Sequence, residues 1–182
     1  DSKYSNTRCV INGEFGSVGD LPIDATGKSI LLPRGEAANI ADGKYGNGGV
    51  SVLKATKSYI GVQHPAGFWG QPWTLEGWFQ FKSQASTNAN AYSFFSMWDA
   101  SSINGELAKI FMLRVQNDKK FQLLASYTGS TDNINKTFST GSPAFWDDPD
   151  RWYHVAASHQ MNAQLLNVYL DGVRLISQPI TS

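Results

Sequence analysis

Apolar and polar residues alternate along much of the chain, and helical periodicity is nearly absent. The clearest case is residues 73–82, where apolar side chains and Gly77 occupy one set of alternate positions and polar side chains occupy the other. Trp78 stands among the polar positions. Because successive side chains of a strand point to opposite faces, this pattern predicts a strand in a sheet with one buried face.

Similar short segments recur along the chain, with turn-forming residues between them. They predict strands within residues 29–33, 50–53, 58–62, 73–82, 92–98, 108–115, 121–127, 134–138, 151–159, 165–170 and 173–177. Residues 50–53 and 58–62 are predicted to form a hairpin, and residues 35–42 a single helical turn. Asp171-Gly172 predicts a tight turn into the last strand, because both positions must tolerate positive φ. Many short strands of this kind indicate an all-β sandwich or jelly roll.

Length and charge narrow the class of protein further. The 182 residues suit one domain, and we find neither an internal repeat nor a linker. Lys+Arg and Asp+Glu number 15 each, so the net charge is zero, which argues against nucleic acid and a polybasic membrane patch. No apolar segment approaches the ~18 residues of a membrane span, so no membrane insertion is expected. Cys9, the one cysteine, is expected to be a small hydrophobic residue.

Three motifs carry a family resemblance. Residues 43–46 read Gly-Lys-Tyr-Gly, and residues 73–79 read Trp-Thr-Leu-Glu-Gly-Trp-Phe. Residues 152–156, Trp-Tyr-His-Val-Ala, are followed at 168–172 by Val-Tyr-Leu-Asp-Gly. In this order the motifs resemble those of laminin-G-like domains in the concanavalin A-like lectin/glucanase superfamily. The resemblance implies a two-sheet antiparallel jelly-roll sandwich across residues 1–182, with a lead-in at 1–28 and the best match at 43–177.

Two features differ from the family pattern. The closing strands that usually follow the Asp-Gly hairpin are missing before Ser182. There are three alternatives. The sequence is a truncated piece, residues 8–34 supply the missing strands, or a neighbouring chain supplies them. Lys54 and Lys57 stand where many relatives carry carboxylates, which argues against calcium at the usual place.

The loop at residues 146–151 offers a second place for a cation. Its carboxylates Asp147, Asp148 and Asp150 could bind calcium or the hydroxyl groups of a sugar, since both take loop carboxylates. The alternative is an ordinary solvated turn in which Asp150 pairs with Arg151. Calcium is therefore the one cofactor that the sequence suggests, and no cofactor is certain.

Catalytic chemistry finds little support in the sequence. A glycosidase needs two carboxylates about 5–9.5 Å apart, and Glu76 stands alone on its strand. We expect Glu76 to meet a Lys, an Arg or a backbone group of a neighbouring strand. His154 and His159 lie five positions apart, so one strand would point them to opposite faces and they could not share a zinc ion. No catalytic residue is predicted.

Loop aromatic and acidic residues are the candidates for ligand binding. An indole ring stacks on the apolar face of a sugar while its N–H still reaches a polar partner. The predicted ligand-binding residues are Trp69, Trp98, Trp146, Asp147 and Asp148. Trp73, Trp78 and Trp152 are instead expected to pack in the core or on a sheet face.

The sequence thus favours a non-enzymatic recognition module on an extracellular protein or a virion surface, with carbohydrate as the expected ligand. The expected partner is a glycan or a surface protein. The alternative is a structural or decorating subunit of a capsid, an appendage or a surface fibre, which would form a homo-oligomer or a larger assembly. A glycoside hydrolase is the remaining alternative.

Overall fold

The computed structural model describes residues 11, 17–45, 48–52, 58–62, 72–81, 92–98, 109–115, 120–125, 134–138, 148, 150–160 and 165–179. In these residues every regular element is a strand, which confirms the all-β prediction. The strands are β1 (Leu31–Arg34), β2 (Ala38–Ile40), β3 (Gly49–Ser51), β4 (Tyr59–Val62), β5 (Trp73–Gln80), β6 (Tyr92–Trp98), β7 (Lys109–Val115), β8 (Phe121–Ala125), β9 (Ile134–Phe138), β10 (Trp152–Gln160), β11 (Leu165–Leu170) and β12 (Val173–Pro179).

The chain forms two compact units, residues 1–68 and residues 69–182. The single domain over residues 1–182 stays a prediction, as does the lead-in at 1–28. Cys9, Lys54 and Lys57 lie outside the described residues.

The first unit contains two small antiparallel sheets, β1 with β4 and β2 with β3. The helical turn predicted within residues 35–42 is wrong, because β2 occupies this segment. Its central residue, Asn39, donates its backbone N–H to Asp20 O and accepts from Gly19 N at its own carbonyl, both at 2.8 Å, and these bonds hold it extended. The hairpin predicted between residues 50–53 and 58–62 is also wrong, because β3 and β4 each pair with an earlier strand.

Glycines permit the β2–β3 pairing. A Cβ atom on Gly43 would overlap the carbonyl oxygen of Gly48, and a Cβ atom on Gly49 would overlap that of Asp42. The two ends of this loop therefore approach more closely than any side chain allows. The first glycine of the Gly-Lys-Tyr-Gly motif thus has a steric role.

A buried carboxylate organises the turn that leads into β1. Asp24 is 9% exposed. Its carboxylate accepts hydrogen bonds from the backbone N–H groups of Thr26, Lys28 and Ser29 and from the Thr26 hydroxyl, at 2.7–3.0 Å. Its carbonyl oxygen accepts from Gly27 N at 3.0 Å. Residues 24–29 therefore fold around one acidic side chain.

The second unit contains two four-stranded antiparallel sheets. Sheet I has the order β12-β11-β10-β5, and sheet II has the order β6-β7-β8-β9. In sheet II, β7 pairs with β8, and in sheet I the pairing of β11 with β12 confirms the tight turn predicted at Asp171-Gly172. In the turn between the latter two, Asp171 has φ 48° and Gly172 has φ 80°, as the sequence predicted.

Aromatic rings join the inner faces of the two sheets. Trp73 of sheet I meets Phe111 of sheet II edge to face, with ring centroids 5.4 Å apart. Phe79 of sheet I meets Phe94 and Phe95 of sheet II at 4.8 and 5.6 Å. The remaining inner-face residues are fully buried aliphatic and aromatic side chains: Leu113, Val115, Phe121, Leu123, Tyr153, Val155, Ala157, Leu166 and Val168. This shared core makes the second unit a β-sandwich.

Asp171 extends the β10–β11 ladder beyond its last register pair. Its backbone N–H donates to His154 O at 2.8 Å, and its Oδ1 accepts from His154 N at 2.9 Å. The backbone and the side chain of Asp171 thus both bond to the backbone of His154. Its Oδ2 pairs with Arg151 at 2.8 Å. The Arg151 guanidinium in turn lies 4.9 Å from the centroid of the Tyr153 ring.

We predict that Asp171→Ala lowers the free energy of unfolding by about 1–3 kcal/mol. The substitution removes the carboxylate that accepts from His154 N, and it places alanine, which disfavours positive φ, in the left-handed region. Asp171→Asn keeps an acceptor and tolerates the left-handed region, so it should cost less than about 1 kcal/mol, mostly from the exposed ion pair. Urea denaturation at neutral pH measures both values. Equal losses in the two variants would contradict the role assigned to the carboxylate.

We predict that Asp24→Ala opens the turn at residues 24–29. The amides of Thr26, Lys28 and Ser29 should exchange with solvent about tenfold faster or more, because each loses its acceptor. Amide exchange followed by NMR measures this. Asp20→Ala is the matched control, since the Asp20 carboxylate accepts only from Ser17 N among its described bonds, at 2.7 Å. Unchanged exchange in Asp24→Ala would show that the turn holds without the carboxylate.

Candidate functional site

Three side chains meet on the outer face of sheet I, the face turned away from the core. The register pairs Trp78 of β5 with His154 of β10 and Glu76 with Ala156. The Trp78 and His154 rings lie 5.0 Å apart with an interplanar angle of 48°. Glu76 Oε2 lies 3.5 Å from His154 Nε2. We call Glu76, Trp78 and His154 the Trp78 patch.

The Trp78 patch is open to solvent. Trp78 is 37% exposed, and the Glu76 side chain is 63% exposed. An exposed indole offers an apolar surface for stacking, the carboxylate accepts hydrogen bonds, and the imidazole can donate or accept them. This combination suits a ligand with an apolar face and a hydroxylated edge.

Glu76 faces an imidazole in this patch. We expected a Lys, an Arg or a backbone group of a neighbouring strand, and the structure supplies the strand but a different side chain. Asp171, the carboxylate bonded to the backbone N–H of His154, is committed to that bond and to Arg151. The contacts described for Glu76 therefore do not include the second carboxylate that glycoside hydrolysis requires.

The histidines lie on opposite faces of β10, as predicted. His154 belongs to the outer Trp78 patch, whereas the His159 ring lies 5.9 Å from that of the buried Trp73 on the inner face. A joint zinc site is excluded by this geometry.

Asp148 and Asp150 form a turn before β10. Asp148 Oδ1 accepts from Asp150 N at 2.9 Å, and the Asp148 carbonyl accepts from Arg151 N at 3.3 Å. The pairing of Asp150 with Arg151 considered above is wrong, because the Arg151 guanidinium turns to Asp171, which also holds the start of β10. Asp148 thus has a local structural role, although both aspartates are exposed.

Most of the predicted ligand-binding residues lie outside the described part of the chain. Trp69, Trp146 and Asp147 belong to undescribed segments, and Trp98 is described only as the last backbone position of β6. Their roles stay predictions. Trp78, which we expected to pack on a sheet face, is an exposed tryptophan that the structure does place. Its position among polar residues was the available signal.

A metal site is not formed by the residues that the structure describes. Among them, no group of three or more His, Cys, Asp and Glu side chains could hold an ion. Calcium at the loop of residues 146–151 stays a prediction, since Asp147 is not described. Within the described ranges, no helix is long and apolar enough to cross a membrane.

The comparisons with known proteins agree with the fold. A laminin G family model, described as the concanavalin A-like lectin/glucanases superfamily, matches residues 54–182. The comparison with curated proteins found no match. Laminin G-like domains are typically binding modules, although the superfamily also includes glycosidases. With the model covering most of the chain and two antiparallel sheets packed face to face, the chain belongs to the concanavalin A-like lectin/glucanase superfamily.

Proposed function

We propose that the protein is a non-enzymatic recognition module that binds carbohydrate through the Trp78 patch. The observation that carries the proposal is an indole ring exposed on a sheet face beside a carboxylate and an imidazole. The apolar face of a pyranose ring would stack on Trp78. Glu76 would accept hydrogen bonds from sugar hydroxyl groups.

The family supports recognition in general, and the site supports carbohydrate in particular. Recognition of a neutral sugar needs no strong field, which is consistent with a net charge of zero. An extracellular or virion-surface location, where such ligands occur, belongs to the same proposal. The proposed further contacts are Trp69, Trp98, Trp146, Asp147 and Asp148. Calcium is a proposed cofactor at the loop of residues 146–151.

We predict that Trp78→Ala weakens binding of a polysaccharide by about tenfold, because it removes the stacking surface. Screening on a glycan array identifies the polysaccharide, and affinity electrophoresis with calcium or with a chelator measures the change. Tyr45→Ala is the matched control, because Tyr45 is an exposed aromatic residue in the other unit. Both variants should stay folded at the assay temperature, which circular dichroism checks, since Trp78 and Tyr45 both lie at the surface.

Two outcomes would contradict this proposal. One is the absence of binding to every polysaccharide, with and without calcium. The other is hydrolysis of a β-glucan by the wild type that disappears in Glu76→Gln, which would assign the Trp78 patch to a glycoside hydrolase. The expected result for Glu76→Gln is weaker binding and no turnover in either protein.

A structural role in a larger assembly is the second candidate. On the β1–β4 sheet, Leu32 and Tyr59 are exposed on one face, and Gly61 between them leaves the backbone uncovered. A Cβ atom at Gly61 would lie 3.4 Å from Leu32 Cβ and 3.9 Å from the Tyr59 ring, which are ordinary contact distances. Neighbouring exposed apolar side chains are typical of surfaces that contact other proteins.

If assembly through this face is the function, the purified protein should form oligomers in size-exclusion chromatography with light scattering. Leu32→Lys should then shift the mass toward a monomer, because it places a charge in the interface. Leu21→Lys is the matched control, since Leu21 is an exposed leucine outside β1 and β4. A wild-type monomer at every concentration would argue against this candidate.

A further inference from the structure

Sheet II carries a row of polar residues across its outer face. The register aligns Ser93 of β6 with Arg114 of β7, and Arg114 with Gln122 of β8. Leu113 and Val115, the neighbours of Arg114 along β7, are fully buried in the core. Because side chains alternate along a strand, Arg114 belongs to the face opposite the core.

Gln122 holds the guanidinium of Arg114 in place. Arg114 Nε donates to Gln122 Oε1 at 2.6 Å. Gln122 is only 6% exposed, so this acceptor is itself fixed by its surroundings. This bond uses the Nε–H, one of the five N–H donors of the arginine. The four donors on the two terminal nitrogens form a fork that can still bind the two oxygens of a carboxylate.

Arg114 has no counter-ion in the described part of the chain. It is half-buried, and no carboxylate of the described residues lies within ion-pair distance of it. Partial burial removes hydration from a charge, and proteins normally compensate such a charge with an opposite one. An arginine that is positioned but not compensated is therefore suited to an anion supplied by a ligand.

The neighbours of Arg114 indicate which anion fits. Ser93 is exposed beside it and offers a neutral hydroxyl group, and Gln122 is an uncharged amide. A densely sulfated chain needs several cations, whereas this row holds one, in a protein with zero net charge. The site therefore matches a ligand that carries one carboxylate beside hydroxyl groups. The carboxylate would meet the guanidinium of Arg114, and a hydroxyl group would meet Ser93.

We propose that the outer face of sheet II binds the carboxylate group of a uronic-acid sugar through the terminal nitrogens of Arg114. Ser93 hydrogen-bonds a neighbouring hydroxyl group of the same sugar. This site is separate from the Trp78 patch on sheet I and requires neither Trp78 nor calcium.

NMR titration with sodium glucuronate tests the proposal, with glucose plus sodium chloride at equal ionic strength as the neutral comparison. Glucuronate should shift the Arg114 Nε–H resonance and the backbone amides of Ser93, Arg114 and Gln122 in a saturable way. Arg114→Lys keeps the charge but loses the fork, and should weaken binding by about tenfold or more. Gln122→Glu should weaken it similarly, because the new carboxylate would occupy the guanidinium.

Arg174→Lys is the matched control and should bind like the wild type, since Arg174 is an exposed arginine on β12 of sheet I. Trp78→Ala should also leave glucuronate binding unchanged, which separates this proposal from that for the Trp78 patch. Three results would overturn it: no saturable shift at Arg114, equal affinity in Arg114→Lys, or equal shifts with sodium sulfate, which would indicate a general anion site.

Discussion

Packing of aromatic rings between the two sheets is the constraint on which the rest of the second unit depends. Trp73 against Phe111 and Phe79 against Phe94 bring the inner faces together. Once these side chains point inward, the two-residue period of a strand turns their neighbours outward. Because Trp73 and Phe79 point into the core, Glu76 and Trp78 on the same strand point to the outer face of sheet I.

The Asp-Gly hairpin connects the stability of this sandwich to its surface chemistry. Asp171 binds the backbone N–H of His154 and the guanidinium of Arg151, and so fixes the start of β10. The imidazole of His154 in turn contacts Trp78 and Glu76. A motif that is needed for the turn thus also determines where one side chain of the candidate site lies.

The outer faces of the two sheets differ in chemistry. Sheet I presents an aromatic ring with a carboxylate, which suits stacking and acceptance of hydrogen bonds. Sheet II presents a guanidinium held by a buried amide, which suits a carboxylate ligand. The sandwich buries its largest apolar side chains between the sheets, although Leu124 on the outer side of β8 is also only 5% exposed. Polar groups elsewhere on the two outer faces therefore form two separate surfaces.

Local patterns in the sequence were enough to determine the strands of the sandwich, because alternation and turn chemistry act between near neighbours. They placed β5, β10 and the positive-φ turn at Asp171-Gly172, and they left Trp78 visible among polar positions. Pairing between distant segments was decided only by the tertiary structure. This is why the partners of β3 and β4, the extended backbone of β2 and the partner of Arg151 were predicted wrongly. The meeting of Trp78 with His154, and of Arg114 with Gln122, likewise depends on register between strands, which side-chain packing sets and no single segment contains.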